Sequence, residues 1–515
     1  MTRLFPISIR LTQKRLAVLL VLLVLLPFVV LCFYSHPGAD DYSDAVQRRE
    51  LGFWVMQRDL YLHLTGRLFT SVILTEASPL VLGLLDVYWL MPLLTLGLLL
   101  GSLYALLTVL MGACWTRATR LLAAAVVLAL WLLQNPSVAE SVYWFNGLAV
   151  YTVPTAVLVF WVAALVRYWQ AGNPRARAGW LGLGLLLGTA VLWSNEIIAL
   201  PLLAAVGGLW AWEWWRGGPR RWALAVALGW FGLALAVSLL APGNMARSAI
   251  IGVPVSWPWV LGGSLASSAY LLLNWASSGV LLFGTVLAVP ALARLVAVPP
   301  PALGRLATLR PFQLLVGAGY LLALLPLAAL PNYWATGGLM PPRARASMYL
   351  LFLLGWFAVV LAGLLAARTT AWWPVLVTYP GRWPLPAAGL LWAGLLLNLA
   401  TDHNQRVAHR DLGRASNNAV LAYRDLLGGT AARYDAFLCT RYRLLRAAPA
   451  NRRYQVAALP KTARPVSLLY YDITTDSAFA FNRDYARYFH QKAVWTGRGG
   501  DGHPPKFYQP PTGDE

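Results

Sequence analysis

Asp40 and Asp41 stand side by side in Gly38-Ala39-Asp40-Asp41-Tyr42-Ser43-Asp44, directly after a long apolar run. A carboxylate within hydrogen-bond reach of a hydroxyl can take its proton, so paired acids here suit a general base or a metal or sugar ligand. The plainer alternative is a helix cap, with either acid opening a helix near Tyr42. Two adjacent acids ahead of a tyrosine favour the chemical reading.

Other polar residues recur between apolar runs. In Tyr61-Leu62-His63-Leu64-Thr65-Gly66-Arg67, Arg67 can hold a phosphate by a forked hydrogen bond, and Gly66 permits close backbone approach. Arg67 could instead snorkel to head groups, and His63 alone reads as structural. Glu140, Tyr143, Trp144, Asn146 and Tyr151 combine polar groups with rings that stack on sugars, although an interfacial aromatic belt explains that segment alone. Asn195 and Glu196 put a carboxylate between two apolar runs, where it is either functional or part of a plain turn. Pro242-Gly243-Asn244 forms a tight turn that aims Arg247. Arg343 and Arg345 follow Pro341-Pro342 on the side where arginine is scarce, which an anionic lipid-linked ligand or head groups would explain. Taken together, the acids can activate an acceptor hydroxyl, the arginines can stabilise a leaving phosphate and the rings can hold a sugar.

A membrane scaffold must position these groups. The chain has 515 residues, of which 59% are hydrophobic and 12% charged, and its mean hydropathy is +0.59. Recurrent runs reach the roughly 20 apolar residues that cross a bilayer. The fold class is therefore an all-α polytopic membrane protein. The net charge of +21 comes from arginines in loops and tail. With no zinc-finger spacing, RNA-binding motif or basic-aromatic stripe, it implies anionic lipid rather than nucleic acid. Cys32, Cys114 and Cys439 are too scattered for a disulfide framework or a metal-ligand spacing.

Arg3, Arg10, Lys14 and Arg15 precede the first run, which lacks a small-residue cleavage site. It reads as an uncleaved helix with a cytoplasmic N-terminus. Spans are expected near 16–34, 88–112, 121–135, 148–166, 179–193, 197–215, 222–240, 276–296, 312–330, 346–367 and 385–400, about eleven in all. Residues 35–66 suit short interfacial helices, and 67–87 is a short span, re-entrant or interfacial. Loops assigned inside carry arginines, among them Arg117, Arg120, Arg216, Arg220, Arg305, Arg368 and Arg382; loops assigned outside carry the acids and aromatics. Residues 1–400 thus form the membrane domain. Residues 401–515 form a small extracytoplasmic domain of mixed α/β structure: His403 to Arg446 reads as helix, Val456–Leu459 and Val466–Tyr471 as strands, and Gly497–Glu515 as a loose end. No internal repeat is evident.

Asp40-Asp41-Tyr42, Thr65-Gly66-Arg67, Tyr143-Trp144, Asn195-Glu196, Ala241-Pro242-Gly243-Asn244 with Arg247, Pro342-Arg343 and Phe481-Asn482-Arg483-Asp484-Tyr485-Ala486-Arg487-Tyr488 together resemble a bacterial branch of the GT-C superfamily of membrane glycosyltransferases. That resemblance implies a polyprenyl-phosphate sugar donor and a cell-envelope acceptor, whether glycan, lipid or protein, in the bacterial inner membrane. It implies Asp41 or Asp40 as the base, with Asp41 preferred. It also implies no cofactor beyond the lipid-linked substrate, and leaves a divalent metal open. A flippase or transporter of lipid-linked sugars and a non-catalytic assembly protein are the rival readings.

Overall fold

A computed structural model describes residues 5–251, 256–300, 310–368, 370, 373, 385–400 and 417–497. Arg305, Arg382, His403 to Ser416 and Arg498 to Glu515 lie outside the described residues. Helix α1 (Phe5–Cys32) starts earlier than its apolar run and ends at Cys32, ahead of an irregular stretch through Pro37-Gly38. Three short helices follow: α2 (Asp40–Leu51), α3 (Phe53–His63) and α4 (Leu68–Glu76). Residues 67–87 hold only α4, turns and a single 3-10 turn, so they are not a full-length helix. Nine residues of α-helix rise about 14 Å, half a bilayer core.

The long helices are α5 (Leu90–Met111), α6 (Arg117–Leu133), α7 (Val153–Gln170), α8 (Pro174–Leu192), α9 (Glu196–Trp215) and α10 (Arg221–Leu239). After the short α11 (Pro242–Ile251) come α12 (Trp257–Ala276), α13 (Gly279–Ala297), α14 (Pro311–Thr336), α15 (Pro342–Ala367) and α16 (Leu385–Ala400). Eight stretches are long and apolar enough to cross a membrane: Arg15–Cys32, Leu85–Met111, Phe145–Gln170, Glu196–Trp215, Arg221–Leu239, Gly279–Ala297, Pro311–Thr336 and Pro342–Ala367. The other expected spans fall on α6, α8 and α16, which are outside that set. Local chemistry sets several starts. Thr116, Asn173 and Asn195 cap α6, α8 and α9 with side-chain oxygens, and proline opens α8, α14 and α15.

Helix direction alternates, which sorts the loops into two ends. At one end, Gln170 donates to the Val109 carbonyl and Arg220 to that of Trp169, tying the arginine-bearing turns together. Every acid-bearing segment singled out from the sequence gathers at the opposite end. Helix α12 is of particular interest, because both its ends meet that end. Trp259 near its start donates to the Gly337 carbonyl beyond α14, and Ser278 just past its close accepts from Gln134 beyond α6. Its exposed Trp257, Leu261, Leu265 and Leu273 fit a helix lying along the interface.

Two turns at this end interlock. Asn244 accepts from the Gly66 backbone and donates to the Ser238 carbonyl, and a Cβ on Gly66 would overlap that carbonyl. Gly66 is therefore required for close approach.

The C-terminal segment packs on this end. Helices α17 (Asn418–Leu427) and α18 (Thr430–Ala447) break at Gly429, whose φ of 70° suits glycine. Asn418 donates to the Leu132 and Asn135 carbonyls, and Tyr423 to that of Leu23. Strands β1 (Arg453–Val456) and β2 (Ala493–Thr496) pair in parallel around α19 (Ala480–Tyr488). The strand expected at Val466–Tyr471 is instead a turn, held by Asp425 accepting from the Ser467 backbone. The strand expected at Val456–Leu459 starts earlier, at Arg453, and ends at Val456.

Asp59 is exposed on α3, and Cys114 is exposed at the opposite end of the bundle. A membrane-impermeant maleimide should label Asp59→Cys, in a Cys114→Ser, Cys439→Ser background, from one side of the membrane, and native Cys114, in a Cys439→Ser background, from the other. Labelling of both from one side contradicts the helix alternation.

Candidate functional site

Asp41 is 1% exposed, and its carboxylate is filled by protein donors. Oδ2 accepts from Tyr88 Oη at 2.8 Å and the Gly38 backbone at 3.1 Å, while Oδ1 accepts from the Asn146 backbone at 3.0 Å. Tyr88 also accepts from the Phe145 backbone. The residue expected as the base is thus a pin joining the segment after α1, the start of α5 and the loop before α7.

Asp40 differs. It is partly exposed, and neither an ion pair nor a hydrogen bond to another residue engages its carboxylate among the described residues. Burial pushes its carboxyl up to about 6, opposed by the positive charge of Arg343. Burial likewise raises Asp41 to about 7, opposed by its three hydrogen bonds. Asp44, which accepts from Asn146 Nδ2 at 2.9 Å, is raised by burial and by the neighbouring charges of Asp40 and Asp41. Ala39, ahead of this acid run, has φ 47°, a backbone conformation costly for an L-residue with a side chain.

Opposite the acids sits a set of guanidinium groups. Arg343 pairs with Glu140 at 2.8 Å and lies over the rings of Trp144 and Tyr151, at 5.2 and 5.8 Å. Arg345 is only 3% exposed; its Nε has no hydrogen-bond partner, and it makes no ion pair among the described residues. A buried guanidinium left unsatisfied is costly unless something anionic engages it. Arg67 pairs with Glu196 at 2.8 Å, and the half-buried Arg247 lies within electrostatic reach of both. Glu140 lies in one of two π turns, Ala139–Tyr143 and Leu148–Thr152, that pack this loop before α7. Such turns often mark functional sites.

Four of the residues singled out from the sequence hydrogen-bond to backbone. Tyr61 donates to the Val237 carbonyl, and the buried Tyr143 donates to that of Phe28. Asn195 caps α9 and donates to the Val150 carbonyl, and Asn244 holds the interlocked turns. The site also contains residues not singled out as ligands. Tyr470 stacks on Trp144 with centroids 4.0 Å apart and planes at 24°. Asp484 accepts from Ser43 at 2.6 Å. Tyr470 lay in an expected strand, so no signal linked it to Trp144; Asp484 lay within the quoted Phe481–Tyr488 motif.

The chain matches no known family model. It also has no match among curated proteins.

A carboxyl raised above its unfolded value binds more protons when folded. Its stabilising contribution is present below about pH 4 and is lost as pH rises through its folded value. For Asp41 that window runs up to about pH 7. Melting temperature should fall across it, and less steeply in Asp41→Asn. Equal slopes would show that Asp41 is not titrating in this range. Tyr88→Phe should cost about 1–3 kcal/mol by unpairing Asp41 and the Phe145 amide.

Proposed function

We propose that this protein is an integral-membrane glycosyltransferase. On this reading it moves a sugar from a polyprenyl-phosphate donor to a hydroxyl of a cell-envelope acceptor, with Asp40 rather than Asp41 as the general base. The observation that carries it is the unpaired Asp40 carboxylate, within electrostatic reach of Arg343, at the same end as the unpartnered buried Arg345. Asp41 is buried and its carboxylate already accepts three protein hydrogen bonds, which hold it away from an acceptor hydroxyl.

In the proposed step, Asp40 takes the acceptor hydroxyl proton as that oxygen bonds to the anomeric carbon. The bond from this carbon to the donor phosphate oxygen breaks, and its electron pair stays on the phosphate. Arg343 and Arg345 stabilise that added charge, and fixed guanidinium groups in a water-poor site do so without reorganising. The half-buried Tyr470, stacked on the buried Trp144, offers a ring for the sugar. An eleven-span path, with a cytoplasmic N-terminus and an extracytoplasmic C-terminal domain in the bacterial inner membrane, belongs to the same reading. Transport is less well supported, because the described long helices carry Asp and Glu only near their ends, never mid-helix.

The purified protein, offered a panel of polyprenyl-phosphate hexoses and acceptors, should transfer sugar. Asp40→Asn should lower the rate by roughly 10²–10⁴, a typical general-base effect. The wild-type rate should rise with pH through about 6, where Asp40 ionises. Full activity in Asp40→Asn refutes the assignment, and donor binding without turnover in the wild type favours a carrier.

A further inference from the structure

His36, Asp435 and Cys439 bring three metal-ligating atoms within 4.8 Å of one another. His36 Nε2 lies 3.0 Å from Asp435 Oδ1, and Cys439 Sγ lies 3.6 Å from the same oxygen. Asp435 and Cys439 are four residues apart on one face of α18, whereas His36 lies in the segment after α1, four residues before Asp40. Sequence spacing could not reveal this group, because its members are separated by about four hundred residues.

We propose that these three side chains bind one divalent ion of the zinc class, and that the ion clamps the segment after α1 to the C-terminal segment. Imidazole, carboxylate and thiolate form a donor set that zinc accepts. Bond lengths of roughly 2.0–2.3 Å place donors about 3.3–3.6 Å apart around a tetrahedral ion. The observed separations therefore require only small side-chain shifts. Without metal, the contacts amount to a His36–Asp435 pair with a thiol donating to the carboxylate.

Metal binding replaces the thiol proton, which is released to solvent as the thiolate–metal bond forms. The ring of His36 is already oriented by Tyr434 and Tyr442, with centroids at 5.3 and 5.6 Å. Asp86 and Arg443 contribute opposing charges beside Cys439. Among the described residues no fourth His, Cys, Asp or Glu joins the cluster, so solvent takes the fourth position. The clamp is independent of the sugar-transfer reading and would serve any activity of this end of the bundle.

The test uses the full-length protein, purified without a histidine tag, stripped by chelator and titrated with Co(II). One equivalent should be retained, with a near-ultraviolet thiolate-to-cobalt band that zinc displaces. Cys439→Ser should abolish the band, Cys114→Ser should keep it, and His36→Ala should weaken affinity at least tenfold. Zinc should raise the melting temperature of the wild type but not of Cys439→Ser. Retention no greater than in Cys439→Ser, or a band that survives that substitution, overturns the proposal. Because Cys439→Ser is nearly isosteric, the outcome stands even if His36→Ala misfolds.

Discussion

The buried carboxylate of Asp41 is the constraint on which the rest of this end depends. Removing a carboxylate from water is costly, and only well-placed donors offset it. Here the donors come from Gly38, Tyr88 and Asn146, so satisfying one charge fixes three chain segments relative to each other. Neighbours extend the knot. Tyr42 packs edge-on against Tyr485 and Tyr488 of α19, and Ser43 bonds Asp484. Trp144 Nε1 donates to the Gly38 carbonyl while its ring meets Tyr470. The C-terminal segment is thereby part of the site's wall rather than a detached appendage.

With Asp41 committed to structure, the proposed chemistry is assigned to its neighbour. Asp40 has the same side chain one residue earlier, and what separates the two is environment: one is enclosed by donors, the other is unpaired beside Arg343. The same division runs through the arginines. Arg67 and Arg343 hold glutamates, and Arg345 holds nothing among the described residues. Paired buried charges add little net stability, so such pairs are better understood as fixing where charge resides. On the proposed reading, that arrangement leaves Arg345 available to an anionic ligand at this end.

Much of this was legible in the sequence because membrane burial imposes strong patterns. Apolar runs marked the long helices, and arginine-rich loops marked one end. The doubtful stretch at 67–87 proved to be short helix and turns, consistent with the interruptions at Arg67, Glu76, Pro79 and Asp86. Gly66 was identified as a point of close approach, and the Ser238 carbonyl meets it there. What was not legible depended on contacts distant in sequence. Nothing local distinguishes Asp40 from Asp41, and Tyr61, Tyr143 and Asn195 have side chains equally suited to a ligand or to a backbone carbonyl. The pairing of Tyr470 with Trp144 and the approach of His36 to α18 arise only on folding.

The most direct test is a structure of the full-length protein with a non-hydrolysable phosphonate analogue of a polyprenyl-phosphate hexose. The account predicts phosphonate oxygens within hydrogen-bond distance of Arg343 and Arg345, the hexose against Tyr470, and Asp40 facing the anomeric carbon. A phosphonate seated away from both arginines, or an anomeric carbon out of reach of Asp40, would contradict it.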